Sequence, residues 1–436
     1  MKPKTFMVIA GEASGDLLAS ELVCAIRKEL ARFEPTPTWD YQPLRASLAP
    51  RFFGAGGPHL KAAGVELAFD MTVHSVTGLS DVLKKYFTFR KLFNQLYDLA
   101  LEREPDAILC VDFSGFNRRF AHAIRRHVNA QGGWFHDWRP KIIQYISPQV
   151  WASREERAYQ MAEDYDLVLS IFPFEKSWYA KKVPRLHVEF VGNPMLERYL
   201  GPGGPLHQVA AKASNHGPSS QPQEQSTKDR FHSPSAPTIL LLPGSRPGEL
   251  TRHLPVMLPA LDRIHDRYRA LRARMVLPNE RLAQLARELG ELKDVELQVG
   301  NLPEALGQAD LAIASTGTVL MECACFGVPT VALYKTSWIN FQIGKRLAKV
   351  RYLGMPNILA GREIVPEFLQ DAATPANLAR AGLELLDDEG RRKRTKEALS
   401  EIVGALGDLG ASRRAAREIV ELVESVDADL NKNEKC

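Results

Sequence analysis

The sequence has few of the features that mark secreted, membrane-spanning or nucleic-acid-binding chains. Its five cysteines, Cys24, Cys110, Cys323, Cys325 and Cys436, are odd in number and contain no Cys-x-x-Cys pair. That pattern argues against a disulfide framework or a zinc site and fits a reducing cytosol. No apolar run approaches the roughly 18 residues of a spanning helix. The first apolar run, Phe6 to Ala10, is stopped by Gly11 and Glu12 before it can serve as a signal peptide. Charge of one sign is scarce too, with a formal net charge of +4. The basic clusters lack the interleaved aromatic residues on which single strands stack, so no nucleic-acid partner is expected. A GxGxxG fingerprint and an internal repeat are also missing. The expectation is a soluble chain, attached at most to a membrane surface.

At 436 residues, 45% hydrophobic and 25% charged, the chain is globular in composition and too long for one core. Short apolar runs at Thr5–Ala10, Arg51–Gly57, Ala107–Val111, Lys141–Ile146, Leu167–Ile171 and Leu186–Val191 alternate with amphipathic segments. The stretch 201–237, rich in Gly, Pro, Ser and Gln, interrupts this alternation and cannot repay its ordering entropy. Alternation resumes at Thr238–Leu242, Arg274–Leu277, Val295–Val299, Leu311–Ala314 and Thr330–Tyr334. The pattern predicts two doubly wound α/β domains, 1–200 and 238–407, facing each other across a cleft and joined by a flexible insertion. A last helix, about 408–428, is long enough to pack back on the first domain.

Candidate chemistry collects where strands end, since ligands of open α/β sheets gather at the carboxyl ends of strands. After Leu242 comes Pro243-Gly244-Ser245-Arg246-Pro247-Gly248, a loop opening a helix. Backbone N–H groups and a helix dipole suit an anion there, and Arg246 adds a planar fork for phosphate; the alternative is an ordinary turn with a solvated arginine. Ser315, Thr316, Gly317 and Thr318 open another helix in the same domain, from which Glu322 projects as a ribose acceptor or else as a capping or salt-bridge residue. Asn357, in a polar loop, has the donor and acceptor edges that a base requires. In the first domain, Gly11, Glu12, Ser14 and Gly15 form a small-residue turn. Asp112 follows Val111, with Ser114 and Asn117 beside it; it either takes a proton from a hydroxyl nucleophile or caps the next helix. Ser147 and Trp151 follow another strand, and the indole is either a pocket floor or core. Asn193 lies in a further strand-end turn.

Residues 81–104 place Val82, Tyr86, Phe89, Phe93, Leu96 and Ala100 on one helical stripe. Away from it, Lys84, Lys85, Arg90 and Lys91 surround Leu83 and Phe87, a pattern suited to anionic lipid headgroups or simply to water.

GEASGD at Gly11, DFSGFN at Asp112, YISPQVWASR at Tyr145, FPFEK at Phe172, FVGNP at Phe190, LLPGSRPGE at Leu241, STGTVLMEC at Ser315 and PNILAGRE at Pro356 together resemble the lipid-A-disaccharide synthase family. These are inverting glycosyltransferases of B-type two-domain fold, and the ordered set spans nearly the whole chain. The resemblance implies transfer of 2,3-diacylglucosamine from UDP-2,3-diacylglucosamine to the 6-hydroxyl of 2,3-diacylglucosamine 1-phosphate (lipid X), without metal or other cofactor. It implies Asp112 as the base, Arg246 on the donor diphosphate, and Glu322 and Asn357 around the uridine. It also implies a Gram-negative source, peripheral attachment to the cytoplasmic face of the inner membrane, and a monomer or homodimer. Gly115 stands where some members carry a second aspartate, Ser153 where tryptophan is usual, and Asn193 where some have histidine. The alternatives are another UDP-sugar transferase or epimerase on the same fold, or a catalytically silent lipid-binding module.

Overall fold

The computed structural model describes residues 3–33, 49–72, 82–131, 137–207 and 236–433. Most of the expected insertion, 208–235, lies outside the described residues, as do the side chains of Val82, Leu83, Lys84, Lys85 and Tyr86. The chain forms two units, 1–194 with 408–436, and 195–407.

In the first unit, β1 (Thr5–Ala10), β2 (Arg51–Gly56), β3 (Glu66–Asp70), β4 (Ala107–Val111), β5 (Lys141–Tyr145), β6 (Leu167–Ser170) and β7 (Val188–Phe190) form one sheet. Its order is β3-β2-β1-β4-β5-β6-β7, and every pair is parallel. Helices cover both faces, which is why β1 and β4 are continuous apolar runs. The strand period of two sends Phe6, Val8 and Ala10 to one side of β1. There they meet Leu22 and Ile26 of the helix Ala13–Phe33 and Ile419 and Val420 of the helix Ala411–Asn433. Met7 and Ile9 face the other side, with Leu96, Ala100, Phe120 and Ile124. The C-terminal helix is pinned at its start by Arg414, whose guanidinium donates to the carbonyls of Val191 at 2.8 Å, Leu409 at 2.8 Å and Asp408 at 2.6 Å.

In the second unit, β8 (Thr238–Leu242), β9 (Arg272–Leu277), β10 (Val295–Val299), β11 (Leu311–Ser315), β12 (Thr330–Tyr334) and β13 (Glu367–Leu369) are arranged β10-β9-β8-β11-β12-β13, again all parallel. Ile239, Leu241, Met275, Ile313 and Leu333 pack beneath the helices Pro247–Arg267 and Pro375–Asp387.

Each strand order reverses beside its first strand, giving one switch point between β1 and β4 and another between β8 and β11. Register levels the strand ends there. Ala10 pairs with Val111, so Gly11 and Asp112 leave the sheet side by side. Leu242 pairs with Ala314, which sets Pro243 opposite Ser315. No helix among the described residues is long and apolar enough to cross a membrane.

Candidate active site

At the first switch point the backbone is bent hard and fastened from below. Asp112 and Phe113 both have left-handed φ, 49° and 41°, a conformation that non-glycine residues adopt rarely and at a cost. The Asp112 N–H donates to the Tyr145 carbonyl at 2.9 Å. Its own carbonyl accepts from the buried amide of Asn117 at 2.9 Å and from that of Gln144 at 3.2 Å. Asn117 is therefore a brace under the turn, fully buried, with its amide nitrogen directed at the backbone carbonyls of Ile9, Val111 and Asp112. Gln144, which the sequence reading did not single out, shares that task.

The Phe113 ring lies where a Cβ on Gly11 would stand, 2.2 Å away, so only glycine fits at that position. A Cβ on Gly15 would sit 3.6 Å from the Asp112 Cβ. Asp16, also fully buried, closes the turn by accepting from the backbone N–H groups of Gly57 at 2.7 Å, His59 at 2.8 Å and Leu60 at 3.1 Å. Glu12 is half-buried and Ser14 exposed. Burial raises the Asp112 pKa above the ordinary carboxylate value, the nearby charge of Glu12 raises it further, and the Phe113 N–H partly offsets both.

Two expected cleft residues turn inward instead. Trp151 is buried, donates its indole N–H to Glu175 at 2.9 Å and meets Phe174 edge-on, so it is not an exposed pocket floor. The hydroxyl of Ser147, also buried, lies 3.1 Å from that of Tyr179. An indole N–H requires a partner once it leaves water, and Glu175 supplies it. Burial pushes the Glu175 carboxyl up to about 7 despite the hydrogen bond from Trp151. Asn193 is buried as well, beside Gly192, whose φ is 83°.

At the second switch point the loop 243–248 leads into the helix Pro247–Arg267, and Gly244 has φ 121°. The expected open anion nest is partly filled by the protein itself. Glu249 Oε2 accepts from the N–H groups of Ser245 at 3.0 Å and Arg246 at 3.3 Å. A Cβ on Gly244 would press on that carboxylate, and the φ of 121° is strained for any residue but glycine. The Arg246 side chain is 69% exposed and reaches Glu249 only at 3.6 Å, leaving its guanidinium largely in solvent.

His253, fully buried, ties this loop to the end of β12. Its Nδ1 donates to the Pro243 carbonyl at 2.6 Å, and its Nε2 accepts from the Lys335 N–H at 3.0 Å. That pair of partners requires a neutral ring, and burial lowers its pKa in agreement.

Beside the loop, Ser315 ends β11, and Gly317, at φ 150°, leads into the helix Thr318–Cys325 with Thr318 exposed. Glu322 on that helix accepts from the Tyr199 hydroxyl at 2.5 Å. Tyr199 lies in the helix Pro194–Leu200, and the second unit begins at Met195, a few residues before the expected boundary at 200.

Asn357 corrects an expectation. Its amide nitrogen donates to the Val365 carbonyl at 2.7 Å and to Glu367 at 2.6 Å. Its oxygen accepts from the N–H groups of Ile364 at 2.8 Å and Val365 at 2.9 Å. With both edges occupied in a buried position, it orders the 354–369 segment and leaves none for a base.

On the helix Val82–Arg103, Leu96 and Ala100 are buried in the core and Phe93 packs against it, while Phe87, Arg90 and Lys91 are exposed. Leu83, Lys84 and Lys85, the rest of the expected lipid-facing set, have side chains outside the described residues.

Two all-parallel sheets of related strand order, each with its polar loops at the switch point, define the B-type glycosyltransferase architecture. Solved structures share it: a Staphylococcus aureus MnaA–UDP complex, with TM-score 0.53 and 16% identity, covers 97% of this chain and 97% of its own. The Neisseria meningitidis UDP-GlcNAc 2-epimerase bound to UDP-GlcNAc has TM-score 0.51 and 12% identity, with 98% of this chain and 100% of that one covered. The family model described as lipid-A-disaccharide synthetase matches residues 6–203 and 214–420. The lipid-A-disaccharide synthase of Geobacter metallireducens is 33% identical over 423 residues, 96% of this chain and 97% of the relative. That of Myxococcus xanthus is 32% identical over 424 residues, 97% and 98% respectively. The chain belongs to the lipid-A-disaccharide synthase family and is a glycosyltransferase of lipid A biosynthesis.

Proposed function

We propose that the enzyme transfers 2,3-diacylglucosamine from its UDP derivative to the 6-hydroxyl of 2,3-diacylglucosamine 1-phosphate. The Asp112 carboxylate takes the hydroxyl proton as the oxygen attacks the anomeric carbon. The bond from that carbon to the diphosphate breaks on the opposite side, and UDP departs with its electron pair, giving inversion. The observation that carries this reading is the Asp112 turn, where a carboxylate with a raised pKa stands at the end of β4 on a strained backbone braced by two buried amides. A raised pKa makes a carboxylate a better proton acceptor while it remains ionised.

Arg246, with an exposed fork at a helix start, would neutralise charge on the departing diphosphate together with the helix start at Thr318, which is why no metal is required. Glu322 would receive the ribose diol on the oxygen not held by Tyr199, and Asn357 would act by holding the 354–369 segment. Phe87, Arg90 and Lys91 would rest on the cytoplasmic surface of the inner membrane.

Mass spectrometry of products from both diacylated sugars in detergent, with chelator present, tests the reading. A tetraacylated disaccharide 1-phosphate plus UDP is expected, with a β-linkage by NMR. Transfer or epimerisation of UDP-N-acetylglucosamine instead would point to the alternative enzymes, and vesicle binding without any UDP release would point to the silent module.

A further inference from the structure

The helix Trp338–Leu347 is the outlier of the second unit, because none of its ten residues is buried. It is nonetheless properly begun, since the Ser337 hydroxyl accepts from the Asn340 N–H at 3.3 Å as an N-cap. Trp338 is 72% exposed, Ile339 66% and Ile343 50%, with Leu347 and Leu353 also in solvent. Ile339, Ile343 and Leu347 follow at intervals of four and share one flank of the helix, which Trp338 borders. Lys345 and Arg346 lie in the last turn of that helix. From Thr336 to Arg362 the sequence carries five cations, Lys345, Arg346, Lys349, Arg351 and Arg362, and no acidic residue. Large apolar side chains exposed together on one helix and interspersed with cations mark a site of interaction rather than a solvated face.

We propose that this helix is a membrane-docking face of the second unit, seating Trp338, Ile339 and Ile343 among the headgroups of an anionic lipid surface. The charge selects the occupant. Two copies of the chain meeting through this face would set cation against cation, whereas anionic headgroups are complementary to it. Tryptophan and isoleucine beside lysine and arginine are the residues of a helix that lies in the interface plane. The inference rests on the functional reading only in that lipid substrates bring the enzyme to a membrane, and the helix itself is not placed in the catalytic machinery.

The test uses the full chain, sedimented with vesicles of phosphatidylethanolamine and phosphatidylglycerol and, separately, of phosphatidylcholine alone. The wild type should partition onto the anionic vesicles. The variant Trp338→Ser/Ile339→Ser/Ile343→Ser should lose at least about tenfold in partitioning. Replacing Lys345, Arg346 and Arg351 by Gln should cost roughly fivefold per cation at low salt. Both variants should keep the wild-type melting temperature, since none of these side chains is buried, and should keep wild-type turnover on detergent-dispersed substrates. Unchanged partitioning of both variants would overturn the proposal. So would a concentration-dependent dimer in sedimentation velocity that the apolar variant abolishes while its vesicle binding persists. Turnover in detergent reports separately on the proposed reaction, so that reading and this one can fail independently.

Discussion

The Asn117 side-chain amide donates to the backbone carbonyl of Asp112 at 2.9 Å, five residues back along the chain, and so holds two consecutive left-handed residues in place. The carboxylate proposed as the base and its brace should separate in mutants. Asp112→Asn should keep stability and UDP affinity while kcat falls by about 10²–10⁴, the usual worth of a general base. Asn117→Ala should instead lose about 1–3 kcal/mol of stability, the cost of deleting a buried amide's hydrogen bonds, with a smaller loss in kcat. Normal kcat in Asp112→Asn would remove the base assignment. Because burial and then Glu12 raise the Asp112 pKa, the acidic limb of the kcat profile should lie above the ordinary carboxylate range. Glu12→Gln should shift that limb to lower pH.

Arg246 presents its guanidinium to solvent, while Glu249 occupies the amides of its loop. Arg246→Ala should therefore leave the melting temperature unchanged and weaken UDP binding by roughly 10- to 100-fold, the worth of charge-assisted hydrogen bonds. Arg246→Lys should recover only part of this, since an ammonium has no planar fork. Isothermal titration with UDP measures both, and equal affinity in all three proteins would take Arg246 out of the diphosphate site.

Glu175 should write a pH dependence into stability. Its folded pKa is about 7 against 4.5 for the free side chain. Between those values the folded chain holds a proton that the unfolded chain has lost, so stability falls as pH rises through that window. The full effect is on the order of 3 kcal/mol. Urea denaturation at pH 5 and pH 8, followed by tryptophan fluorescence, should show the decline in the wild type and a flatter profile in Glu175→Gln. An equally steep decline in the variant would assign the dependence to other groups.

The sequence alone was enough to locate the central strands and the polar turns that follow them, whereas strand order, and with it the two switch points, came from the tertiary structure. β1, β4, β8 and β11 are covered on both faces, so each is an unbroken apolar run followed by a polar turn, a pattern readable without knowing any neighbour. β3 and β13 escaped notice; the side chains of both are partly in solvent and neither forms a continuous apolar run. The positions of Asp112 and Arg246 were readable for a related reason, since Asp112 is the first residue after β4 and Arg246 lies in the loop that follows β8. What Asn117, Trp151, Ser147 and Asn357 do was decided only by tertiary structure. A polar side chain at a strand end serves a ligand or the fold according to which partners reach it, and theirs are mostly buried groups of the same unit. Asp16, Gln144, Glu175, Tyr199 and His253 went unrecognised for the same reason. Asp16 meets residues 41 to 44 positions away, Tyr199 a residue 123 away and His253 one 82 away. Local pattern tells which residues stand at the carboxyl edge of a sheet, but burial determines which of them remain available for chemistry.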